Sequence, residues 1–380
     1  NRFRGLSKEY SELEPIVEIV EEYNKVVSDL TGAKEMLAEG DFDFFDTFLF
    51  STSQVGLDAP IISGVHDKLL DANCIDALAE MDIIISCQGG TYTEKIHKPL
   101  RSSGWNGYWI DAASTLRMKD SSLIILDPVN RNIIDQALND GVKNFIGGNC
   151  TVSLMLMAVG SLFQEDLIEW MSTMSYQAAS GGGARHMKEL LAQMSVIGQK
   201  SASLMDGPIL GLDSSIGNLL KSNELASDCF GVPLALNLIP WIDSAVEDGQ
   251  TREEWKAYSE TNKILGRVDS PVPIDGTCVR VGALRSHSQA LTVKLNKSVD
   301  IATIEDMLKS FSEHTEFVEN TPEATREKLN PRYVSGTLKT TVGRVRKMKM
   351  GDDYLNIFTS GDQLLWGAAE PLRRMLNIIL

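Results

Sequence analysis

The sequence has few cysteines and a shortage of positive charge. Its five cysteines form no Cys-x-x-Cys pair, so neither a disulfide framework nor a zinc site is indicated. With 36 Lys and Arg against 52 Asp and Glu, the net charge of -16 argues against nucleic acid or an anionic membrane as partner. No long apolar run or basic-then-apolar leader occurs, so we expect neither a membrane span nor secretion, and a reducing cytoplasm fits best.

A chain of 380 residues with 43% apolar side chains is long for one core and predicts two domains. Short apolar runs of buried-strand type alternate with helical or loop segments in its first half. This alternation predicts an α/β fold with a mostly parallel sheet, whose ligands gather at the carboxyl ends of the strands. The runs lie at residues 47–50, 82–87, 107–111 and 123–126.

The second half has a different texture. Ile168 to Gln177 is typical of a strand, and β-branched residues alternate with polar ones from Cys278 to Leu295 and from Thr341 to Met350. Such alternation predicts an antiparallel sheet with one solvated or interface face. The last segment, 362–380, has helical periodicity, so we expect a helix that packs back onto the first layer and is kinked at Pro371.

A cysteine stands where a strand gives way to a helix. Gly147-Gly148-Asn149-Cys150 follows the β-like run 144–146 and opens an apolar, helix-period segment from Thr151 to Phe163. The positive end of a helix stabilises a thiolate, and the glycines allow a substrate to approach the backbone closely. The motif therefore favours covalent catalysis, although a lone cysteine is more often a small buried apolar residue.

A second glycine-rich stretch, Ser180-Gly181-Gly182-Gly183-Ala184, precedes a helix predicted to reach Lys200. Before a helix, such a loop suits a phosphate or cofactor cradle, but it equally suits a flexible connection.

Four motifs, in this order, closely resemble those of bacterial aspartate-semialdehyde dehydrogenases: 147–154, 176–186, 280–289 and 361–371. The likeness extends over residues 41–380. It implies a homodimeric, cytoplasmic enzyme that interconverts aspartyl 4-phosphate and aspartate 4-semialdehyde with NADPH, on the route to lysine, threonine, methionine and isoleucine. It also implies a Rossmann-like domain at 41–149 plus 363–380 and an α+β catalytic and dimerisation domain at 150–362, with a mixed or antiparallel sheet.

The resemblance assigns roles to individual residues. Cys150 matches the nucleophile that forms a thioester, and His287 matches the acid/base histidine. Arg280 corresponds to the residue that holds the substrate carboxylate, Glu253 to the group that binds the amine, and Gln177 to the amide that positions the reacting carbon. A guanidinium suits a carboxylate because it donates two parallel hydrogen bonds.

The resemblance also assigns residues to phosphate and cofactor. Arg117 and Lys256 correspond to the phosphate-binding pair, which an acidic protein needs to attract an anion. A Thr-Ser pair with no acidic neighbour suits the 2'-phosphate of NADP better than a free ribose diol. The residues that match nucleotide-contacting positions are Thr52, Ser53, Gln88, Ser180, Gly181, Gly182, Gly183, Ala184, Pro208 and Gln363. No residue is predicted to bind a metal.

Residues 1–40 depart from that family. They contain only Gly5, Gly32 and Gly40, so the family's first strand and its Gly-x-x-Gly-x-Val-Gly turn are missing. Their amphipathic pattern predicts helices and resembles the N-terminal helical domain of a bacterial class I peptide chain release factor. We therefore expect a chimera joined near 38–42, with an incomplete nucleotide-binding sheet and weakened NADPH binding.

Two other hypotheses compete with this one. In the first, the chain is a catalytically inactive fusion whose N-terminal helices contact a protein or the ribosome. In the second, it is another thiolate dehydrogenase, such as a glyceraldehyde-phosphate or acetylglutamyl-phosphate enzyme. Enzymes of that class also use a cysteine and a histidine, as Cys150 and His287 would be used here, but they lack the 280–289 and 362–371 motifs.

Overall fold

The computed structural model of the chain describes residues 46–60 and 68–380. The helices predicted for residues 1–40 and the join predicted near 38–42 lie outside these residues. The described residues divide into two compact units, one of residues 46–60, 68–82 and 95–106, the other of Ile83–Glu94 and Gly107–Leu380.

In the first unit, strand β1 (Phe50–Ser51) pairs in parallel with β2 (Leu70–Asp71), and helix α1 (Ile75–Ala79) follows. The strand predicted at residues 47–50 is thus reduced to a two-residue pairing that begins at Phe50. The division between the units falls within helix α2 (Gly90–Ser102).

The second unit begins with a four-stranded, wholly parallel sheet. Its strands are β3 (Ile83–Ser86), β4 (Tyr108–Asp111), β5 (Leu123–Ile125) and β6 (Asn144–Gly147), in the order β3-β4-β6-β5, and helix α3 (Asp127–Asn139) connects β5 to β6. The predicted parallel α/β layer is confirmed. Because parallel strands end at one edge, the segments after β3, β4 and β6 emerge together there.

The rest of the chain forms a mixed sheet with helices around it and ends in a helix that returns to the parallel sheet. Its elements are α4 (Cys150–Gln164), β7 (Ile168–Gln177), α5 (Ala184–Ala202), α6 (Ile209–Lys221), β8 (Leu238–Ile239), α7 (Arg252–Ile264), β9 (Ile274–Val281), β10 (His287–Leu295), α8 (Ile301–Ser310), β11 (Thr315–Val318), α9 (Pro322–Lys328), α10 (Pro331–Val334), β12 (Thr340–Met348), β13 (Gly351–Gly361) and α11 (Glu370–Ile379).

The seven strands are ordered β11-β12-β13-β10-β7-β9-β8. Strand β7 runs antiparallel to β10, as the alternating pattern predicts, but parallel to β9. The sheet is therefore mixed. The predicted mixed or antiparallel sheet is confirmed, and β7 and β9 are parallel because the helices between them form a long crossover, which returns the chain in the same direction.

Helix α4 is the centre of the larger core. All its residues from Thr151 to Phe163 are buried, and they pack with apolar residues of β7, β10, β12 and β13. A helix that is apolar on all sides has no face for solvent and must be enclosed. Helix α4 directly follows β6 of the parallel sheet and leads into β7 of the mixed sheet. Its first residue, Cys150, therefore lies at the point in the chain where one sheet gives way to the other.

Helix α11 packs on the parallel sheet, where Leu372 and Met375 join Ile110, Ile125 and Phe145, as predicted. Pro371 is the second residue of α11, and a π-helix, Leu365–Ala369, runs directly into that helix. The kink at Pro371 stays a prediction.

Substitution of Gly276, on β9, tests the pairing of β7 with β9. A Cβ at this position would lie 1.7 Å from the Thr173 carbonyl oxygen, so the strands can approach only at a glycine. We expect Gly276→Ala to lower the free energy of unfolding by about 2 kcal/mol or more, measured by urea denaturation. Gly198→Ala, in helix α5 with open space around it, is the control and should be stabilising by about 0.5–1 kcal/mol. Equal effects of the two changes would contradict this account of the sheet.

Candidate active site

Cys150 is the first residue of helix α4, as predicted. Its predecessor Asn149 is the N-cap, and the Asn149 Oδ1 accepts hydrogen bonds from the backbone N–H groups of Thr151 at 3.0 Å and Val152 at 3.3 Å. These bonds satisfy two N–H groups that a helix start otherwise leaves unpaired. The cap fixes the backbone on both sides of the cysteine.

The π-helix packs directly against the cysteine. A Cβ at Gly367 would lie 2.5 Å from the Cys150 Cβ, so any side chain there would displace the cysteine. The neighbouring Trp366 is fully buried, and its indole N–H donates to the Leu338 carbonyl at 2.7 Å. The π-helix is therefore a rigid wall of the site.

Glu253, on helix α7, joins three of the site's groups. Its Oε1 accepts hydrogen bonds from Asn149 Nδ2 at 2.9 Å and from Gln177 Nε2 at 3.3 Å. Its Oε2 pairs with Lys256 Nζ at 2.8 Å, and Lys256 also reaches Asp243 at 3.1 Å. Burial alone would raise the pKa of Glu253, but the Lys256 charge and these hydrogen bonds hold it below its usual value.

Glu260, two turns later on α7, makes a parallel set of contacts. Its Oε1 pairs with Arg117 Nη1 at 3.2 Å, and its Oε2 accepts the Asn149 backbone N–H at 2.7 Å. Arg117 Nε also donates to the Gly147 carbonyl at 2.6 Å. The predicted phosphate-binding cations, Arg117 and Lys256, are thus each bound to a carboxylate that also holds Asn149.

The backbone of Ala178 binds two further predicted residues. Its N–H donates to His287 Nδ1 at 3.1 Å, and its carbonyl accepts from Arg280 Nη1 at 2.7 Å. Because Nδ1 is an acceptor, the neutral imidazole carries its proton on Nε2. That buried Nε2 has no hydrogen-bond partner within residues 46–60 and 68–380. Gln177, next to Ala178, links this pair to the Glu253 contacts.

The surroundings of Cys150 and His287 favour the uncharged form of both side chains. Burial, reinforced by the Glu253 carboxylate, raises the pKa of Cys150 to about 12, although Lys256, Arg117 and Arg280 oppose the shift. Burial and the Arg280 charge lower the pKa of His287 to about 3. These shifts favour a thiol and a neutral imidazole in the resting pair. The thiolate stays a prediction, because the helix start and the three cations favour it while burial and Glu253 oppose it.

The glycine-rich stretch lies beside these groups. Ser180, Gly181 and Gly182 form a tight turn, Gly183 has a φ of 90°, and Ala184 begins α5. A Cβ at Gly181 would lie 2.9 Å from Arg280 Nη1 and 3.1 Å from His287 Nε2. A side chain at Gly181 would therefore push against Arg280 and His287.

Gln363 is buried and joins two segments of the site. Its side-chain amide donates to Ser180 Oγ and accepts the Ser286 backbone N–H at 2.9 Å. Of the other predicted cofactor residues, Gln88 is exposed after β3, and Pro208 is exposed at the N-cap of α6. Thr52 and Ser53 are exposed residues of the first unit.

Four residues around the cysteine escaped prediction: Asn149, Asp243, Glu260 and Gly367. Two carried a usable signal. An asparagine immediately before an apolar helix is a typical N-cap, and Glu260 lies seven residues after Glu253, on the same helical face. The contacts of Asp243 and Gly367 are made across the fold, and no local pattern announces them.

Within the described part of the chain, no three His, Cys, Asp or Glu side chains are grouped so that they could hold a metal ion. None of the helices in that part is both long and apolar enough to cross a membrane.

Comparisons with known proteins agree with this geometry. Residues 27–137 match the family model described as semialdehyde dehydrogenase, NAD binding domain, and residues 159–366 match semialdehyde dehydrogenase, dimerisation domain. The first match begins upstream of the join predicted near 38–42, so it gives no support to a foreign segment that reaches residue 40.

Solved structures are similar over nearly the whole chain. Aspartate semialdehyde dehydrogenase from Francisella tularensis is 46% identical, with a TM-score of 0.88, and the match covers 93% of this chain and 96% of that chain. Aspartate semialdehyde dehydrogenase II from Vibrio cholerae, complexed with ASA, shares the fold at 23% identity, with a TM-score of 0.74 and coverage of 91% and 93%. The Candida albicans enzyme with NADP shares it at 15% identity, with a TM-score of 0.62 and coverage of 92% and 94%. The chain therefore belongs to the aspartate-semialdehyde dehydrogenase family.

Proposed function

We propose that the chain catalyses the NADPH-dependent reduction of L-aspartyl 4-phosphate to L-aspartate 4-semialdehyde and phosphate, through a thioester on Cys150. The observation that carries this proposal is the position of Cys150 at a helix start, where its sulfur feels the charges of Glu253, Lys256, Arg117 and Arg280. Such a site offers a nucleophile, two cations for a phosphate and separate charges for an amino acid's ammonium and carboxylate.

The substrate's charges match those of the site. Arg280 binds the α-carboxylate, Glu253 the ammonium, and Arg117 with Lys256 the phosphate. In the resting site, Lys256 and Glu253 pair with each other at 2.8 Å. A substrate carrying both charges replaces that pair with two intermolecular ones, so no buried charge is left alone.

The sulfur of Cys150 displaces the phosphate from the acyl carbon. A bond forms between the sulfur and that carbon, the bond from the carbon to the phosphate oxygen breaks, and phosphate leaves with the bonding electrons. Because the resting sulfur is a thiol, its proton must leave in the same step, and the departing phosphate takes it. Gln177, bound to Glu253, positions the reacting carbon.

His287 stabilises the oxygen of the second step. Its Nε2–H, free of protein acceptors among the described residues, donates a hydrogen bond to the oxyanion of the tetrahedral intermediate, and the proton stays on Nε2. When this intermediate collapses, the oxygen's electron pair re-forms the C=O bond, the C–S bond breaks, the aldehyde is released, and the sulfur takes a proton from water to become a thiol again. The Ala178 N–H keeps the imidazole in the tautomer that this hydrogen bond requires.

The residues beside His287 fit a nicotinamide cofactor. The turn at Gly181 lies against Arg280 and His287 without a side chain in between, which leaves backbone that a flat ring can cover. Ser180, Gly181, Gly182, Gly183, Ala184 and Gln363 would hold that part of the cofactor, with Gln88 and Pro208 as further contacts. Thr52 and Ser53 are the residues proposed for the 2'-phosphate that distinguishes NADP from NAD. When bound, the cofactor supplies the hydride.

Other features carry over from the family as proposals. They are a homodimer, a cytoplasmic location, the biosynthetic route to lysine, threonine, methionine and isoleucine, and the partition at residues 149–150 with 363–380 returning to the first domain. An exposed cleft of about 480 Å³, lined partly by Trp170, Trp255 and Tyr258, supports a partner surface on the mixed sheet. The release-factor resemblance of residues 1–40 stays a prediction, and ribosome co-sedimentation would test the corresponding inactive-fusion hypothesis.

The first prediction tests the reaction. Aspartate semialdehyde should drive phosphate-dependent reduction of NADP by the purified chain, and Cys150→Ala should abolish it, because no thioester can form. His287→Asn should retain covalent trapping of Cys150 but lower kcat at least about 100-fold, since the shorter amide cannot reach the oxyanion that Nε2–H stabilises. NADP reduction that persists in Cys150→Ala would refute the thioester.

The second prediction follows from the raised pKa of Cys150. Below the pKa the thiolate fraction rises tenfold with each pH unit, so we expect iodoacetamide to alkylate Cys150 about tenfold faster per unit from pH 7 to pH 9. Mass mapping of the Cys150 peptide separates it from the exposed Cys74 and Cys87. A rate that levels off near pH 8 would show that the resting site holds a thiolate instead.

The third prediction concerns the missing glycine turn. We expect NADPH to bind this 380-residue chain weakly, because the backbone donors for the pyrophosphate are absent from residues 1–40. Replacing these residues with the corresponding segment of the Francisella tularensis relative should tighten NADPH binding at least about tenfold, measured by fluorescence titration. Equal affinity of the two proteins would mean that the turn is unnecessary.

A further inference from the structure

Glu260 has no role in the proposed reaction, although it contacts two groups of the site. It is buried on helix α7, two turns from Glu253, and binds both Arg117 and the backbone N–H of Asn149. We propose that Glu260 is a positioning residue, which aligns Arg117 for the substrate phosphate and fixes the backbone immediately before Cys150. This inference rests on the proposed function.

The surroundings of Arg117 explain why alignment matters. Its Nε donates to the Gly147 carbonyl at 2.6 Å, its Nη2 to the Ala112 carbonyl at 3.1 Å, and its Nη1 pairs with Glu260 at 3.2 Å. A guanidinium has five N–H groups in one plane, so these three contacts fix the plane and leave two donors for an anion. Among the residues that the structure describes, Glu260 is the carboxylate that pairs with Arg117, and the two carbonyls make its other contacts.

The second contact of Glu260 is with the nucleophile's own turn. The Asn149 N–H donates to Glu260 Oε2 at 2.7 Å, while the Asn149 side chain caps helix α4 and donates to Glu253. Arg117 follows β4 and Asn149 follows β6. One carboxylate therefore sets the distance between a phosphate ligand and the backbone that carries the sulfur.

A charge-only role and a positioning role predict opposite results for Glu260→Gln. Removing a buried negative charge near the phosphate site makes the site more positive, which by itself would strengthen phosphate binding. In the wild-type contacts each donor meets a different carboxylate oxygen, so a glutamine in the same place turns its NH2 group toward either Arg117 or the Asn149 N–H, and donor then faces donor. If Glu260 positions, phosphate binding weakens in spite of the gain in positive charge.

The test measures inorganic phosphate directly. In Glu260→Gln we expect the KM for phosphate in the aldehyde-oxidising direction to rise about tenfold, with the KM for aldehyde and for NADP changed less than about twofold. Calorimetric binding of inorganic phosphate to the same protein should weaken by a similar factor. Phosphate binding that is unchanged or tighter in the folded Glu260→Gln protein would overturn the proposal.

Glu254→Gln is the matched control. Glu254 is a buried carboxylate on the same helix, but it caps α7 through the Thr251 N–H at 2.7 Å and accepts the Cys278 N–H at 3.0 Å. This change should lower thermal stability and leave the phosphate KM unchanged. An equal loss of phosphate affinity in both variants would reduce Glu260 to a structural residue.

Glu260→Asp is the second variant, should Glu260→Gln fail to fold. It keeps the charge but is one methylene shorter, so it cannot reach both donors, and phosphate binding should again weaken. Wild-type phosphate affinity in Glu260→Asp would overturn the proposal. Calorimetry also separates this inference from the proposed function: a chain without dehydrogenase activity would refute the reaction, whereas the effect of Glu260 on phosphate binding would still be measured.

Discussion

The active site depends on one asparagine held between two buried carboxylates. Asn149 gives its side-chain amide to Glu253 and its backbone N–H to Glu260, and its side-chain oxygen caps the helix that begins with Cys150. Each carboxylate also binds one cation, Lys256 or Arg117. Breaking one of these pairs would leave an uncompensated buried charge, so the groups are stable only together. The position of the sulfur is set by this shared arrangement and by the glycine of the π-helix.

Helix α7 also relates the two layers of the second unit. Its carboxylates face residues that follow strands of the parallel sheet, while its apolar residues Ala257 and Ile264 join the core around α4. The same element therefore packs the core and orders the charged groups. The division of labour follows from helical periodicity, which places Glu253 and Glu260 on one face.

Much of the fold around the site could be predicted from sequence wherever the pattern involves residues that are neighbours in the chain. The parallel strands before Gly147, the helix that begins at Cys150 and the full span of β7 follow from apolar runs and glycine punctuation. The β7–β9 direction, the π-helix before Pro371 and the raised pKa of the cysteine did not follow. Each depends on tertiary structure: a long crossover, an extra residue in one helical turn, and the Glu253 carboxylate brought near the thiol.

The raised pKa of Cys150 bears on how its sulfur meets oxidants. Peroxides and disulfides react with thiolates, and burial together with the Glu253 carboxylate lowers the thiolate fraction that they can attack. The carboxylate that orders Asn149 therefore also slows oxidation of the neighbouring sulfur.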